Sequence, residues 1–416
     1  MAERVAIARL GASGDGIAEG PGAPLFVPGA LPGETAAIER DGERARLLAI
    51  ESASPDRAQP FCPYFDRCGG CVAQHVGLGL YENSKLGRLA EALRRAGLDA
   101  PVGPLVDAHG DGRRRVTFHA RSVEGRMAVG FMERRSHTLV PIDHCPITVP
   151  ALRAAPQAAA AVAAVLADKG KPLDLAVTAT EGGLDIDVRG PGPLGERIRQ
   201  RLIAVAGERD LARLSLHGEA LVARRQPSVV TGRARVVPRP GGFLQATAAG
   251  EAAITAAIAA GSEGAKRVAD LFSGHGPVAL RLAERAEAHA VESDGASLAA
   301  LDRAARETPG LRRVTTETRD LFRRPLLPLE LERFDAVVLD PPRAGAEAQV
   351  RQLTLSSCDR VIMASCDAGT FARDAAALVG AGFALERVTP IDQFKWSAHL
   401  EMVGAFRRPR ARTRRR

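Results

Sequence analysis

From Arg267 onward, short apolar runs alternate with longer stretches of helical spacing. The runs "RVADLF", "AHAVE", "FDAVVLD" and "RVIMAS" are strand-length and apolar on both faces, the pattern of buried parallel strands separated by helices. A doubly wound parallel sheet is predicted for this half. The last pair, "ALERVTPID" and "HLEMVGAF", is joined by a short connection and is expected to run antiparallel. Earlier in the chain the period changes. "RVTFHARS" and "RMAVGFM" alternate as hairpin strands, "NSKLGRLAEALRRAGL" has helical spacing, and the Ala-rich stretch from Pro150 to Gly170 reads as a soluble helix. The first residues hold short Val- and Ile-containing runs broken by "ASGDG" and "LPGE", which suggests a small β-barrel. These patterns divide the chain into a barrel over 1–57, a central α+β region over 58–240, a sheet domain over 241–407 and a basic tail over 408–416.

With 416 residues the chain is too long for one ordinary core, which agrees with that division. No apolar run is long enough to span a bilayer, and the N-terminus lacks the apolar core of a signal peptide, so a cytoplasmic location and no membrane partner are expected. A monomer is favoured. The net charge is +8 with an Arg-rich end, "RRPRARTRRR", and a second basic stretch, "ARRQPSVVTGRARVVPRP". Such a balance points to a polyanion, nucleic acid first, although a solvated tail explains the end equally well. At 4% aromatic residues, a continuous base-stacking platform is excluded. Six cysteines in such a chain suggest metal binding or catalysis rather than disulfides.

In an open α/β sheet, ligands bind beyond the carboxyl ends of the strands, and that rule ranks the candidates. "RVADLF" runs into "SGHG", whose Gly274 and Gly276 permit a tight turn. "AHAVE" ends at Glu292, placed to accept from ribose hydroxyls. The third glycine of a pyrophosphate loop is missing, so S-adenosylmethionine fits better than a dinucleotide. "FDAVVLDPPRAG" delivers Asp340 to the same edge. Arg343 stands where an amine methyltransferase would carry an aromatic residue, which argues against an amine acceptor. Ser-Cys-Asp occurs on both sides of "RVIMA": Cys358 at the wrong edge, and Cys366 at the edge shared with Glu292 and Asp340. Cys366 is therefore the candidate nucleophile, and Cys358 a small, partly buried residue. A thiol beside a methyl donor suggests methylation of uracil C5, a carbon too weakly nucleophilic until a thiolate has added at C6. A base must then remove the C5 proton. Glu401 is placed for this, with His399 as a rival sharing its face.

Together these residues resemble the class I RNA uracil-5-methyltransferases, through "GFLQAT", "DLFSGHG", "DPPRAG", "SCDAGTFARD" and "HLE" in that order. The resemblance implies a Rossmann-like methyltransferase domain that binds S-adenosylmethionine through Gln245, Phe272, Glu292, Asp320 and Asp340. It implies Cys366 as nucleophile and Glu401 as base. The first segment resembles a TRAM domain, an RNA-binding barrel, and "CPYFDRCGGCVAQH" resembles the family's iron–sulfur signature. On that likeness Cys62, Cys68, Cys71 and Cys145 hold a 4Fe–4S cluster, ahead of zinc, because one short knuckle and two distant cysteines do not make a zinc ribbon. The cluster points to RNA of the ribosome, 23S rRNA, with tRNA as the alternative.

Four departures from the family pattern stand out. Asp367 and Ala368 replace Asn-Pro after the nucleophile, Thr247 an Asn, and Pro277 a residue that is often polar; "DQFKWS" stands for D-M-F-P-Q-T. Asp367 and Ala368 leave open an inactive RNA-binding protein on this scaffold. A radical S-adenosylmethionine methylthiotransferase is excluded by its C-x-x-x-C-x-x-C motif, since this chain reads C-x5-C-x-x-C.

Overall fold

In the computed structural model, which describes residues 2–20, 22–123 and 126–409, three large sheets are found, with a two-stranded one, Val229–Thr231 and Ala234–Val236, between the second and the third. The expected tail over 408–416 lies outside the described residues except for Arg408 and Pro409.

The first sheet has six strands in the order Glu3–Ala6, Thr35–Asp41, Arg44–Ser52, Leu25–Val27, Gly16–Ala18 and Arg9–Leu10. It wraps around Ile7, Leu25, Val27 and Ile38 as a half-barrel whose two edge strands are consecutive in the chain. Its Asp15 is buried and faces Arg135 at 3.0 Å, with Arg134 and Arg44 each at 3.6 Å, so the half-barrel is pinned to the hairpin beyond it.

The second sheet has seven strands between Arg115 and Ala223, and the hairpin Arg115–Val123/Arg126–Met132 pairs antiparallel as the alternation predicts. Along Arg115–Val123 the buried positions are Val116, Phe118 and Ala120, two residues apart, because successive side chains leave a strand on opposite faces. The helices Ala155–Val165 and Glu196–Glu208 cover that apolar face.

The third sheet carries the four predicted parallel strands. Its order is Val314–Thr318, Glu287–Glu292, Arg267–Leu271, Ala336–Leu339, Arg360–Ser365, Glu401–Arg407, Ala384–Asp392 and Val106–Asp107. Glu401–Arg407 is antiparallel to both neighbours. Ala336–Leu339 is buried throughout because both of its faces are covered: Val337 and Leu339 enter one core, Ala336 and Val338 the other. That is why its sequence shows a solid apolar run and no alternation.

Two pieces of the N-terminal half complete this domain. Val106–Asp107 forms the sheet's last strand beside Ile391 and Asp392. The helix Leu78–Arg95 begins five residues before the expected segment, and buries Tyr81, Lys85, Leu89 and Leu93 at four-residue spacing. Its Leu89 and Leu93 join the core that holds Phe371, on the neighbouring helix Ala368–Gly380. No helix of the described residues is long and apolar enough to cross a membrane.

Candidate active site

Phe272, Glu292, Asp320, Asp340, Cys366 and Glu401 lie along one edge of the third sheet, where the parallel strands end and the antiparallel Glu401–Arg407 begins, and Gln245 meets that edge from the loop before Ala248–Gly261 through Gln393. Cys366 directly follows Arg360–Ser365 and precedes the helix Ala368–Gly380. That helix is capped by Asp367, whose Oδ1 accepts from the amides of Gly369 and Thr370, both at 2.9 Å. The cap fixes the turn that displays the half-buried Cys366 thiol. Burial pushes that thiol above its ordinary range and Glu401 pushes the same way, while the charge of Arg343 opposes them.

Glu401 is buried, and its carboxyl is raised to about 8, first by burial and then by the nearby Asp340. Its Oε1 accepts from Gln393 Nε2 at 3.1 Å, and the same amide donates to Gln245 Oε1 at 2.6 Å. Gln393, Gln245 and Glu401 thus form one polar chain inside the domain. Asp340 is raised to about 6 by burial. Gln245 is held in turn from the second sheet: Arg114 donates to its carbonyl at 3.1 Å while pairing with the buried Glu251.

Phe272, Glu292 and Asp320 stand at the ends of the next three strands beyond Asp340, Arg267–Leu271, Glu287–Glu292 and Val314–Thr318. Glu292 accepts from the amide of Gly274 at 3.1 Å and from Ser293 and Asp294, which fixes its carboxylate beside the glycine turn. Phe272 sits at φ +65°, a strained conformation for a residue with a side chain, and its ring meets that of Phe322 at 5.4 Å. Asp320 caps the turn leading to Phe322, accepting its amide at 3.0 Å. Gly276 sits at φ +85°, where glycine is favoured, and a Cβ there would also press on the Leu301 side chain.

Arg343 and Gln393 were not among the residues singled out as site residues, yet both act on that set. Arg343 reaches the His399 ring at 3.2 Å, and its charge acts on the Cys366 thiol. His399 is exposed on the wall of a cleft, whereas Glu401 is buried behind it. This cleft, about 770 Å³, runs from Arg9 and Leu10 of the half-barrel across the helix Leu78–Arg95 to Cys366. Cys358 is buried at the far edge, and its thiol donates to the Arg360 carbonyl.

Cys62, Cys68, Cys71 and Cys145 line a separate cavity of about 260 Å³, together with Arg113 and Arg115. Burial pushes the Cys71 thiol up to about 11 and Cys145 to about 12. Among the described residues, no three His, Cys, Asp or Glu side chains stand close enough to hold a single metal ion.

Three of the family departures fall on helix starts. Thr247 caps Ala248–Gly261, accepting from Gly250 at 2.8 Å; Pro277 takes the first turn of Pro277–Leu282; Asp367 is the cap described above. Thr and Asp both serve as caps, and proline suits a first turn, so these replacements preserve local geometry.

Residues 243–408 match the family model described as tRNA (Uracil-5-)-methyltransferase. An uncharacterized RNA methyltransferase of Brucella suis is 45% identical over 98% of both chains. The 23S rRNA (uracil(1939)-C(5))-methyltransferase RlmD of Pectobacterium atrosepticum is 31% identical over 97% of this chain and 93% of its own. The Pyrococcus abyssi tRNA (uracil-54, C5)-methyltransferase, solved with S-adenosyl-L-homocysteine, shares the fold at TM-score 0.76 and 18% identity, over 97% of this chain and 99% of that one. With these relatives and a Rossmann-like sheet, the chain belongs to the S-adenosylmethionine-dependent RNA uracil-5-methyltransferases.

Proposed function

We propose that this enzyme methylates C5 of a uridine in 23S rRNA, with Cys366 as nucleophile and Glu401 as base. The observation that carries the reading is the meeting of Cys366, Arg343, Asp340 and Glu401 at one sheet edge. The Cys366 thiolate adds to C6 of a uracil flipped from its stack, forming an S–C6 bond and an enolate. C5 then takes the methyl group from the sulfonium, and S-adenosylhomocysteine leaves. The Glu401 carboxylate removes the C5 proton, the C5–C6 double bond returns and the thiolate departs. Gln245, Phe272, Glu292, Asp320 and Asp340 would bind the donor, with Asp340 nearest the reacting carbon.

The cleft from Cys366 to the half-barrel is the path we assign to the RNA, with the half-barrel in a TRAM-like role. The four cysteines around one cavity suit a 4Fe–4S cluster, whose ligands stand further apart than those of a single ion. Four thiolates on such a cluster would cross-link the loop 62–71 to Cys145; we assign it no electron transfer. The ribosomal target is supported by the likeness to RlmD over nearly the whole chain.

The test uses 23S rRNA and tRNA transcripts whose uridines carry fluorine at C5. Because fluorine does not leave as a proton does, a covalent, methyl-labelled adduct is expected on the ribosomal transcript and is expected to vanish in Cys366→Ala. An adduct on tRNA alone moves the target. Tight binding with neither adduct nor label overturns the mechanism in favour of an RNA-binding protein.

A further inference from the structure

Trp396 stands in the middle of the segment between Gln393 and Glu401, and the groups that hold it flank two of the cysteines. The Trp396 carbonyl accepts from the amides of Val72 at 2.7 Å and Ala73 at 3.1 Å, the two residues that follow Cys71. Its ring lies 5.9 Å from that of Phe61, the residue before Cys62, and 5.4 Å from Tyr81. Its amide donates to the Tyr81 hydroxyl at 3.0 Å, and that hydroxyl donates to Asp392 at 2.6 Å.

Trp396 makes these contacts at φ +64°, in the left-handed region. Glycine occupies that region without strain, and a bulky residue stays there only where its surroundings hold it. Here the grip comes from the cysteine loop on one side and the helix Leu78–Arg95 on the other. The two ends of the held segment meet each other, since Gln393 donates to Glu401. The segment is thus a closed loop, with Trp396 at its middle and the carboxyl and its partner at its base.

We propose that Trp396 is a positioning residue that couples the four-cysteine loop to the placement of Glu401. The cysteine site then serves the reaction by geometry: when its four ligands are tied together, the loop 61–73 presents the amides and the ring that fix Trp396. This rests on Glu401 being the base, and the experiment separates the two ideas.

Trp396 is the chain's only tryptophan, so its fluorescence reports this junction in the full-length protein. In Cys71→Ser the emission is expected to shift to the red and to become more accessible to acrylamide. The kcat should fall about tenfold or more while the KM values for RNA and donor stay within about twofold, as for a misplaced catalytic group. Phe61→Ala leaves every thiol in place and is expected to give a smaller shift of the same sign, which serves should Cys71→Ser fail to fold. Trp396→Gly accepts the backbone angle without strain and removes only the ring; it should lose kcat, and Trp396→Phe should recover most of it. Unchanged emission in both Cys71→Ser and Phe61→Ala, or wild-type kcat in Trp396→Gly, overturns the proposal. Glu401→Gln is assayed alongside. Wild-type turnover in that variant removes Glu401 as the base, while the fluorescence shifts still decide the coupling.

Discussion

The carboxyl of Asp340 lies near enough to that of Glu401 to help hold a proton on it. Burial does most of this, and Arg343 and Gln393 pull the other way, leaving Glu401 at about 8 against an ordinary 4.5. Glu401 and the Cys366 thiol must both be ionised to act, so kcat/KM is expected to climb through neutral pH and past about 8, and to go on rising as the thiol, itself pushed up by burial, ionises. Steady-state rates across pH 6 to 9.5 check this; a flat profile over that range contradicts it.

Stability should move in the opposite sense. The raised carboxyl favours the folded state while protonated, a contribution fully present below 4.5 and lost as pH rises through about 8. Glu401→Gln keeps a neutral, hydrogen-bonding side chain at every pH. It is expected to be inactive, to melt close to wild type at acid pH, and to melt higher than wild type above pH 8. Thermal melts of the two proteins over that range supply the comparison.

Arg343 is the cation that opposes burial at the Cys366 sulfur. In Arg343→Gln the thiol should rise further, and alkylation of the Cys366 peptide by iodoacetamide near neutral pH should slow by about tenfold, following the thiolate fraction. Arg343→Lys should recover part of the loss. Quantitative mass spectrometry of that peptide reads both, and equal alkylation rates in all three proteins would remove Arg343 from the activation of the thiol.

Gln393 bridges Gln245 and Glu401 through one amide nitrogen. Replacing it with Leu leaves two buried acceptors without their donor, at about 1–3 kcal/mol of stability. It also takes away a bond that lowers Glu401, so the rise in kcat/KM should shift to higher pH. Urea unfolding and the pH profile of Gln393→Leu test the two halves separately.

Lys85 sits on the buried stripe of its helix and reaches Asp392 at 2.5 Å. Lys85→Met strands a buried carboxylate and should cost about 3–5 kcal/mol, whereas adding Asp392→Asn should return a large part of that. Urea midpoints of the single and double variants, at unchanged slope, measure the difference.

The sequence made the middle of the third sheet legible because central strands such as Ala336–Leu339 and Arg360–Ser365 are buried on two faces and leave apolar runs, whereas the partly exposed edge strand Val314–Thr318, reading VTTET, leaves none. Cys366 could be told from Cys358 by strand polarity alone, and the two do lie at opposite edges. Other features left no periodic trace. Lys85 interrupts an apolar stripe, and only the distant Asp392 explains why a lysine belongs there. Val106–Asp107 is two residues long, too short for any alternation, and takes its strand character from Ile391 and Asp392. Gln393 follows a strand end in a stretch that departs from the family pattern, and its importance lies in partners 148 and 8 residues away. Arg343 was read only for the acceptor it disfavours; its influence on Cys366 depends on two separate strand ends meeting.

Tyr81 meets its acceptor Asp392 across 311 residues of chain. During synthesis the helix Leu78–Arg95 therefore leaves the ribosome long before the surface it must cover exists, with Leu89 and Leu93 open to water or to a chaperone. The stretch 243–408 that carries the family likeness is in the same sense unfinished by itself, because its outer strand and part of its core are supplied from upstream. Closure of the catalytic sheet is thus a late event that joins the two ends of the polypeptide, and so much non-local pairing makes for slow assembly. A gene fragment cut at the apparent boundary would yield an open sheet edge and a bare apolar face, which invites aggregation before any question of activity arises.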